Sequence, residues 1–144
     1  MKKDQTVCFH IKACWHAISR MYNEQGHDTG LTTAIGYVLL NIDVKKGTPA
    51  TKIAPLIGME PRSLTRMLKN LEEEGLIYRE SDDKDKRMVR VYLTETGKEK
   101  REIAKAVVKK FNNYLRKEIE PEKLDIFFDV MKKIDNIIAQ KAIF

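Results

Sequence analysis

The chain has 144 residues, 42% of them apolar and 33% charged, with a formal net charge of +6 and a pI near 9.3. That length suits one domain with a real core. The composition excludes a disordered chain, and the longest apolar stretch, Ala34 to Ile42, is too short to cross a bilayer. The basic excess permits a nucleic-acid partner without establishing one, because the arrangement of charge decides more than its total. Cys8 and Cys14 fall six residues apart in one helical pattern and cannot readily bridge each other. Two thiols without a disulfide framework, behind an N-terminus "MKKDQTVCFHIK" that has no apolar signal core, predict a cytoplasmic protein.

In chain order the pattern is helical with one β interruption. Val7, Ile11, Cys14, Trp15, Ile18, Met21 and Tyr22 recur at helical spacing and predict a first helix over 6–25, broken by "GHDTG" at 26–30. Thr32 caps a second helix carrying Ile35, Val38, Leu39 and Ile42, closed by "KKG" at Gly47. Thr48 and Pro49 read as N-cap and first residue of a third helix, 49–57, with Ile53, Ala54, Leu56 and Ile57 inward; Pro55 inside it removes one backbone donor. Gly58 turns the chain, Pro61 starts a fourth helix, and Gly75 stops it at the C′ position. "LIYRES" and "MVRVYLT" then predict a hairpin, 76–81 and 88–94, around "DDKDKR".

After the hairpin the helical period returns. Thr94 or Thr96 can cap a fifth helix over 95–118 with Ile103, Val107, Phe111, Tyr114 and Leu115 inward, and Thr96 with Glu99 fits a capping box. Pro121 opens a sixth helix, to about 141, with Leu124, Phe127, Phe128, Met131, Ile134, Ile137 and Ile138. The expected class is mainly α with a small β-hairpin wing, in the order α-α-α-α-β-β-α-α.

The fourth helix carries two stripes. Leu64, Met67, Leu68 and Leu71 lie at i, i+3, i+4 and i+7 and form a buried one; Arg62, Thr65, Arg66 and Lys69 repeat that spacing on another side, beside Ser63. Two helices joined by a Gly turn are the helix-turn-helix pattern, in which the second helix enters the major groove. Arginine offers two parallel donors that match guanine O6 and N7, while Ser and Thr suit phosphates or base edges. A charged face on a surface helix is also what simple solvation produces. The hairpin shifts the weighing: its tip carries Lys84, Lys86 and Arg87, with Arg90 following, and cations at a hairpin tip do nothing for a core. They can reach phosphates or the minor groove beside a docked helix. The acids Asp82, Asp83 and Asp85 fit a loop pinned by at least one pairing with a neighbouring arginine.

"IAPLIGMEPRSLTRMLKNLEEEGLI" followed by "DDKDKRMVRVYLTETG" resembles the winged helix-turn-helix of the multiple-antibiotic-resistance regulator (MarR) family. The matching pieces are Ile53-Ala54, Ser63-Leu64-Thr65-Arg66, Leu71 to Gly75, Asp85-Lys86-Arg87, and Leu93-Thr94 with Gly97. The resemblance implies that Asp85 braces the wing tip and that Arg87 enters the minor groove. It also implies a single domain over 1–144, with a DNA-binding unit at 31–97 and helical dimerisation regions at 1–30 and 98–144. Pro55 departs from the commoner pattern. Apolar stripes on helices 6–25, 95–118 and 121–141, and the apolar Ile143 and Phe144, fit an obligate-type homodimer, with an ordinary internal core as the alternative. A dimer must hold its two recognition helices about 34–36 Å apart to read a pseudo-palindrome, so a ligand that prefers another spacing releases DNA.

Three sensing readings stay open for "VCFHIKACWHAISRMY". Cys8 and Tyr22 fall where the hydroperoxide-sensing branch of the resembled family has its reactive cysteine and a partner tyrosine, while Lys12 and Thr33 stand where that branch has its other tyrosines. Fourteen helical residues span about 21 Å, so Cys8 and Tyr22 can meet only across a dimer; Lys12, one turn from Cys8, favours its thiolate. His10 and Cys14 could share a metal, but no further ligands are placed, so no metal and no cofactor is expected. A small aromatic or phenolic effector could lie among His10, Lys12, Trp15, His16, Tyr22 and Tyr37.

The expected function is a transcriptional regulator, a repressor rather than an enzyme, that binds double-stranded DNA as a homodimer. Base or nearby contacts fall to Arg62, Ser63, Thr65 and Arg66, and backbone or minor-groove contacts to Lys69, Lys84, Lys86, Arg87 and Arg90. The competing classes are a Cys8 thiol peroxidase or peroxide sensor, and a winged-helix adaptor that binds protein instead of DNA.

Overall fold

The computed structural model describes residues 1–141, so the expectation for Ile143 and Phe144 lies outside the described residues. Six α-helices and three strands succeed one another among them: α1 Val7–Gly26, α2 Thr33–Leu40, β1 Thr48–Pro49, α3 Ala50–Ile57, α4 Pro61–Glu73, β2 Ile77–Ser81, β3 Val89–Leu93, α5 Glu95–Glu118 and α6 Pro121–Ala139. The chain packs as two units, one through Val107 and one from Val108 onward. No helix among the described residues is long and apolar enough to cross a membrane.

The core belongs to the first unit. Val38, Leu39 and Ile42 come from α2 and the residues after it, Ile53 and Ala54 from α3, and Leu64, Leu68 and Leu71 from α4. Leu76, Ile77, Val91 and Leu93 close it from the sheet side, with Ala104 from α5. Each large side chain buried this way contributes about 1.5–3 kcal/mol relative to exposure. The apolar face therefore fixes how α4 lies, and with it which residues α4 turns outward.

Local chemistry explains the boundaries. The Thr32 hydroxyl accepts the Ile35 N–H at 3.2 Å and caps α2. Gly58 and Gly75 hold left-handed φ of 63° and 72°, which ends α3 and α4 as expected. Thr94, not Thr96, caps α5: its Oγ1 accepts the Gly97 N–H at 3.0 Å and donates to the Gly75 carbonyl at 2.6 Å. A Cβ on Gly97 would sit 1.9 Å from the Leu76 carbonyl oxygen, so this close approach excludes any side chain.

Three local expectations are corrected. Thr48 and Pro49 do not begin α3; they pair with β3 in the registers Thr48↔Val91 and Pro49↔Arg90, making an antiparallel sheet of order β1-β3-β2. Proline suits this edge because it has no N–H to leave unpaired there. Helix α2 stops at Leu40 with Asn41 as its cap, and a turn over 43–47 follows. The turn forms because the Asp43 carboxylate accepts the Lys45 and Lys46 N–H groups at 2.8 and 2.7 Å. Leu56 points outward, 64% exposed, while Ile53 and Ala54 are buried on the inner face of α3 and Ile57 packs against the core beside them, as expected.

The second unit contains the end of α5 and all of α6. No residue of α6 is buried, and Ile126, Phe127, Phe128, Val130, Ile137 and Ile138 are exposed.

Candidate nucleic-acid interface

Helix α4 turns its polar stripe to solvent. Leu64, Leu68 and Leu71 are buried, whereas Arg62, Ser63, Thr65, Arg66 and Lys69 are all exposed. Pro61 occupies the first turn, and Glu60 makes no side-chain cap. The amides at the start of α4 are thus left open to water or to a phosphate, at the positive end of the helix dipole. Thr65 donates its hydroxyl to the Pro61 carbonyl at 2.9 Å, so what it offers outward is a methyl group and oxygen lone pairs. At the far end Glu72 accepts from the Arg79 Nε at 2.6 Å, which ties α4 to β2 and neutralises one acid.

The wing is built around one buried carboxylate. Asp82 accepts the Lys84 and Asp85 N–H groups on Oδ1, at 2.8 and 3.2 Å, and the Arg90 Nε on Oδ2 at 2.8 Å. These bonds, that to Arg90 first and then those to the two amides, hold the Asp82 carboxyl below its ordinary value. The backbone closes the tip through Asp82 N–H to Met88 C=O and Met88 N–H to Asp85 C=O, at 2.8 and 2.9 Å. Asp85 accepts the Arg87 N–H at 3.0 Å and lies 4.0 Å from its guanidinium.

Arg90 corrects the sequence expectation. Its guanidinium turns inward, bonding Asp82 and donating from Nη1 to the Lys46 and Gly47 carbonyls at 3.1 and 3.3 Å. It braces the wing instead of standing free for a phosphate. The brace expected of Asp85 is likewise carried mainly by Asp82, since only Asp82 is buried deep enough to gather three donors; Asp85 orders the last turn of the tip. The signal for this was present in the sequence as a choice among three acids, and nothing local decided it. Lys84, Lys86 and Arg87 remain exposed, Arg87 almost wholly so at 97% of its side chain. Gly47, at φ 63°, makes room for this packing: a Cβ there would meet the Val91 carbonyl oxygen at 2.6 Å and the Tyr92 ring at 2.7 Å. Tyr92 stacks in turn on Tyr78, with ring centroids 5.2 Å apart.

A cleft of about 360 Å³ lies in the same unit between α1, α2 and the turn that joins α3 to α4. Trp15, Asn23, Thr33 and Tyr37 line one side, and Ile57, Gly58 and Met59 the other. Trp15 and Tyr37 meet at 5.7 Å between ring centroids. Asn23 and Ser19 hold Thr33 through bonds of 2.7–2.9 Å, which stitches α1 to the start of α2. Burial raises the Tyr37 phenol, and burial followed by the nearby Tyr37 raises that of Tyr22.

Of the residues expected around an effector, Trp15 and Tyr37 line this cleft, and Tyr22 joins Tyr37 in a smaller cavity beside it. His10, Lys12 and His16 line neither. They are exposed on α1, and His10 Nε2 bonds the Asp4 carbonyl at 2.6 Å, because helical phase turns them away from α2. Ser19, Asn23 and the Ile57–Met59 turn were missed: they have no individual signal and enter only through packing. Cys8 and Cys14 are both exposed free thiols. Among the described residues no group of three or more metal-ligating side chains occurs.

Residues 31–89, which span α2 through the start of β3, match the sequence model of the MarR family. The chain is 32% identical over 95 residues to the HTH-type transcriptional regulator TtmR of Methylorubrum extorquens (strain PA1), covering 66% of this chain and 49% of that protein. It is 27% identical over 135 residues to the HTH-type transcriptional regulator SarZ of Staphylococcus aureus (strain MRSA252), covering 93% of this chain and 87% of that one. The chain thus spans about half the length of the first relative and most of the second. Its fold is that of the S. aureus MepR–DNA complex, with a TM-score of 0.82 at 20% identity over 91% of this chain and 97% of that one. It is also that of CouR from Rhodococcus jostii RHA1 bound to p-coumaroyl-CoA, with a TM-score of 0.79 at 23% identity over 93% and 94%.

Proposed function

This chain belongs to the MarR family through residues 31–89, and on that premise we propose that it is a cytoplasmic transcriptional repressor that binds a pseudo-palindromic DNA duplex as a homodimer. The observation that carries the reading is the pairing of an uncapped, cation-bearing α4 with a wing whose tip is ordered from within. Arg62, Ser63, Thr65 and Arg66 read base edges or adjacent phosphates; Lys69, Lys84 and Lys86 neutralise phosphates, and Arg87 enters the minor groove. A tip that is already ordered loses little conformational entropy when it docks, so its cations act with full effect.

Selection of bound sequences from random duplex DNA by the purified protein tests this directly. The expected outcome is a two-fold symmetric consensus whose affinity falls steeply with added salt. Recovery of unselected sequence, or affinity indifferent to salt, refutes it and favours an adaptor that uses its winged helix on protein.

Dimerisation is supported by apolar side chains left in water on α1 and α6, among them Val7, Ile11, Trp15, Phe127 and Phe128. Domain roles follow: residues 31–97 bind DNA, and residues 1–30 and 98–144 pair the protomers. The Trp15–Tyr37 cleft supports a small aromatic effector, since CouR of the same fold holds p-coumaroyl-CoA and the cleft here abuts the α3–α4 turn itself. A ligand seated against Gly58 re-aims α4 without touching DNA. Quenching of Trp15, the single tryptophan, by a phenolic acid, with parallel loss of DNA binding, is the expected result. The exposed Cys8 supports a second signal: one equivalent of an organic hydroperoxide oxidises its thiol to a sulfenic acid, is itself reduced to the alcohol, and releases DNA without the catalytic turnover of a peroxidase.

A further inference from the structure

The recognition helix and the wing meet at a short joint. Helix α4 ends at Glu73, Gly75 turns the chain at φ 72°, and β2 begins at Ile77. The backbone closes this turn through Gly75 N–H to Glu72 C=O and Leu76 N–H to Leu71 C=O, at 3.0 and 2.9 Å. A side-chain bond spans it as well: the Arg79 Nε donates to the Glu72 Oε2 at 2.6 Å. Arg79 lies in the middle of β2, opposite Val91. The two-residue period of a strand puts it on the same face as the buried Ile77, so its side chain returns toward α4.

Local rules do not favour Glu72. It stands in the last turn of α4, where the negative end of the helix dipole opposes a carboxylate, and Glu73 and Glu74 follow it. No basic residue of that turn offsets them. The pair also adds little stability, because the Arg79 and Glu72 side chains are 32% and 41% exposed and pairs in contact with water contribute weakly. What the bond does fix is an angle. It links the helix that bears Arg62 and Arg66 to the strand that leads into the wing tip, and it bypasses the glycine between them.

We propose that Glu72 and Arg79 are positioning residues for DNA binding, their bond holding the wing at the angle from α4 at which both reach the duplex together. The proposal rests on the DNA-binding reading for its purpose. Both residues act through the elements they join and not by touching DNA. The expected sign opposes simple electrostatics. An acid replaced by lysine on a DNA-binding surface ordinarily tightens binding, since one more cation faces the phosphates. Glu72→Lys instead weakens it, because two cations then repel each other across the joint.

A charge swap on the full chain, followed in two ways, decides the matter. In anisotropy titrations on the selected duplex, Glu72→Lys and Arg79→Glu each weaken binding by about two- to fivefold, the scale of one partly exposed ion pair. The double variant, with the charges exchanged, returns to within about twofold of wild type. The slope of log affinity against log salt keeps its wild-type value in all three. Without DNA, amide hydrogen exchange at Gly75 and Leu76 speeds up by about two- to fivefold in each single variant and slows again in the double one. The Ala13 and Ala17 amides in the middle of α1 keep their rates throughout. Tighter or unchanged binding by Glu72→Lys overturns the proposal. So does a double variant no tighter than the single ones; a reduced salt slope beside it makes Arg79 a direct phosphate contact. Equal acceleration in α1 overturns it too, since the pair is then a general stabilising one. A wild-type protein that selects no duplex sinks the DNA-binding reading alone, whereas unchanged exchange at Gly75 and Leu76 sinks the joint alone.

Discussion

Helices α4 and α6 carry the same kind of amphipathic pattern and meet different fates. In α4 the apolar stripe of Leu64, Leu68 and Leu71 is buried within the protomer, and the face left over is cationic and polar. In α6 nothing is buried: Phe127, Phe128, Ile137 and Ile138 remain in water. A helix whose apolar side is satisfied inside the chain offers its polar side for recognition. One whose apolar side is unsatisfied lacks a partner for that side. The first difference points to DNA and the second to another copy of the chain.

The contrast can be broken at its strongest point first. Leu68→Ala removes a buried side chain of α4 and costs about 2–5 kcal/mol of stability in denaturant unfolding. An equally drastic change on α6, Phe127→Asp, costs a lone protomer less than about 0.5 kcal/mol, as exposed sites do. It instead abolishes dimers in sedimentation experiments and makes DNA binding dependent on far higher protein concentration. A Phe127→Asp protein that stays dimeric removes α6 from the interface.

The polar side of α4 comes next. Arg66→Ala weakens binding to the selected duplex by about 1–3 kcal/mol in anisotropy titrations and relaxes preference at one base position. Unchanged affinity would leave that arginine as a solvated side chain. Smaller again is Arg87→Ala at the wing tip, which lowers the slope of log affinity against log salt by about 1 while sparing sequence preference.

The smallest effect is acid dependence. Asp82 titrates below its ordinary value of 3.8 in the folded chain because Arg90 and two amides stabilise its charge. A lowered folded value means that its contribution is complete above that ordinary value and is lost as pH falls through the folded one. Protection of the Lys84 and Asp85 amides is therefore level from pH 7 to about pH 5 and drops only in stronger acid. Asp82→Asn removes that step and leaves the tip loose throughout. A wing that loosens near pH 6 would point to a titrating group other than Asp82.

Much of this was legible in the residues themselves. Leu64, Leu68 and Leu71 announce the inner face of α4 by spacing. Gly58 and Gly75 announce its bounds because left-handed φ favours glycine, and the Thr32 hydroxyl announces the start of α2. These features are local: a helical period or a cap involves residues within a few positions, so the sequence alone states them. The exposed cations at Arg62, Arg66, Lys84, Lys86 and Arg87 were legible for the same reason.

What only the tertiary structure decided involves distant partners. Thr48 and Pro49 look like a helix start until β3, some forty residues later, supplies a strand to pair with. Arg90 looks like one more cation at the wing until carbonyls 43 and 44 positions away accept its donors. His10, Lys12 and His16 share a helix with Trp15, and only the packing of α2 separates the residues that face the cleft from those that face water. A side chain's nearest neighbours in space are set by the whole core, and no window of sequence contains them.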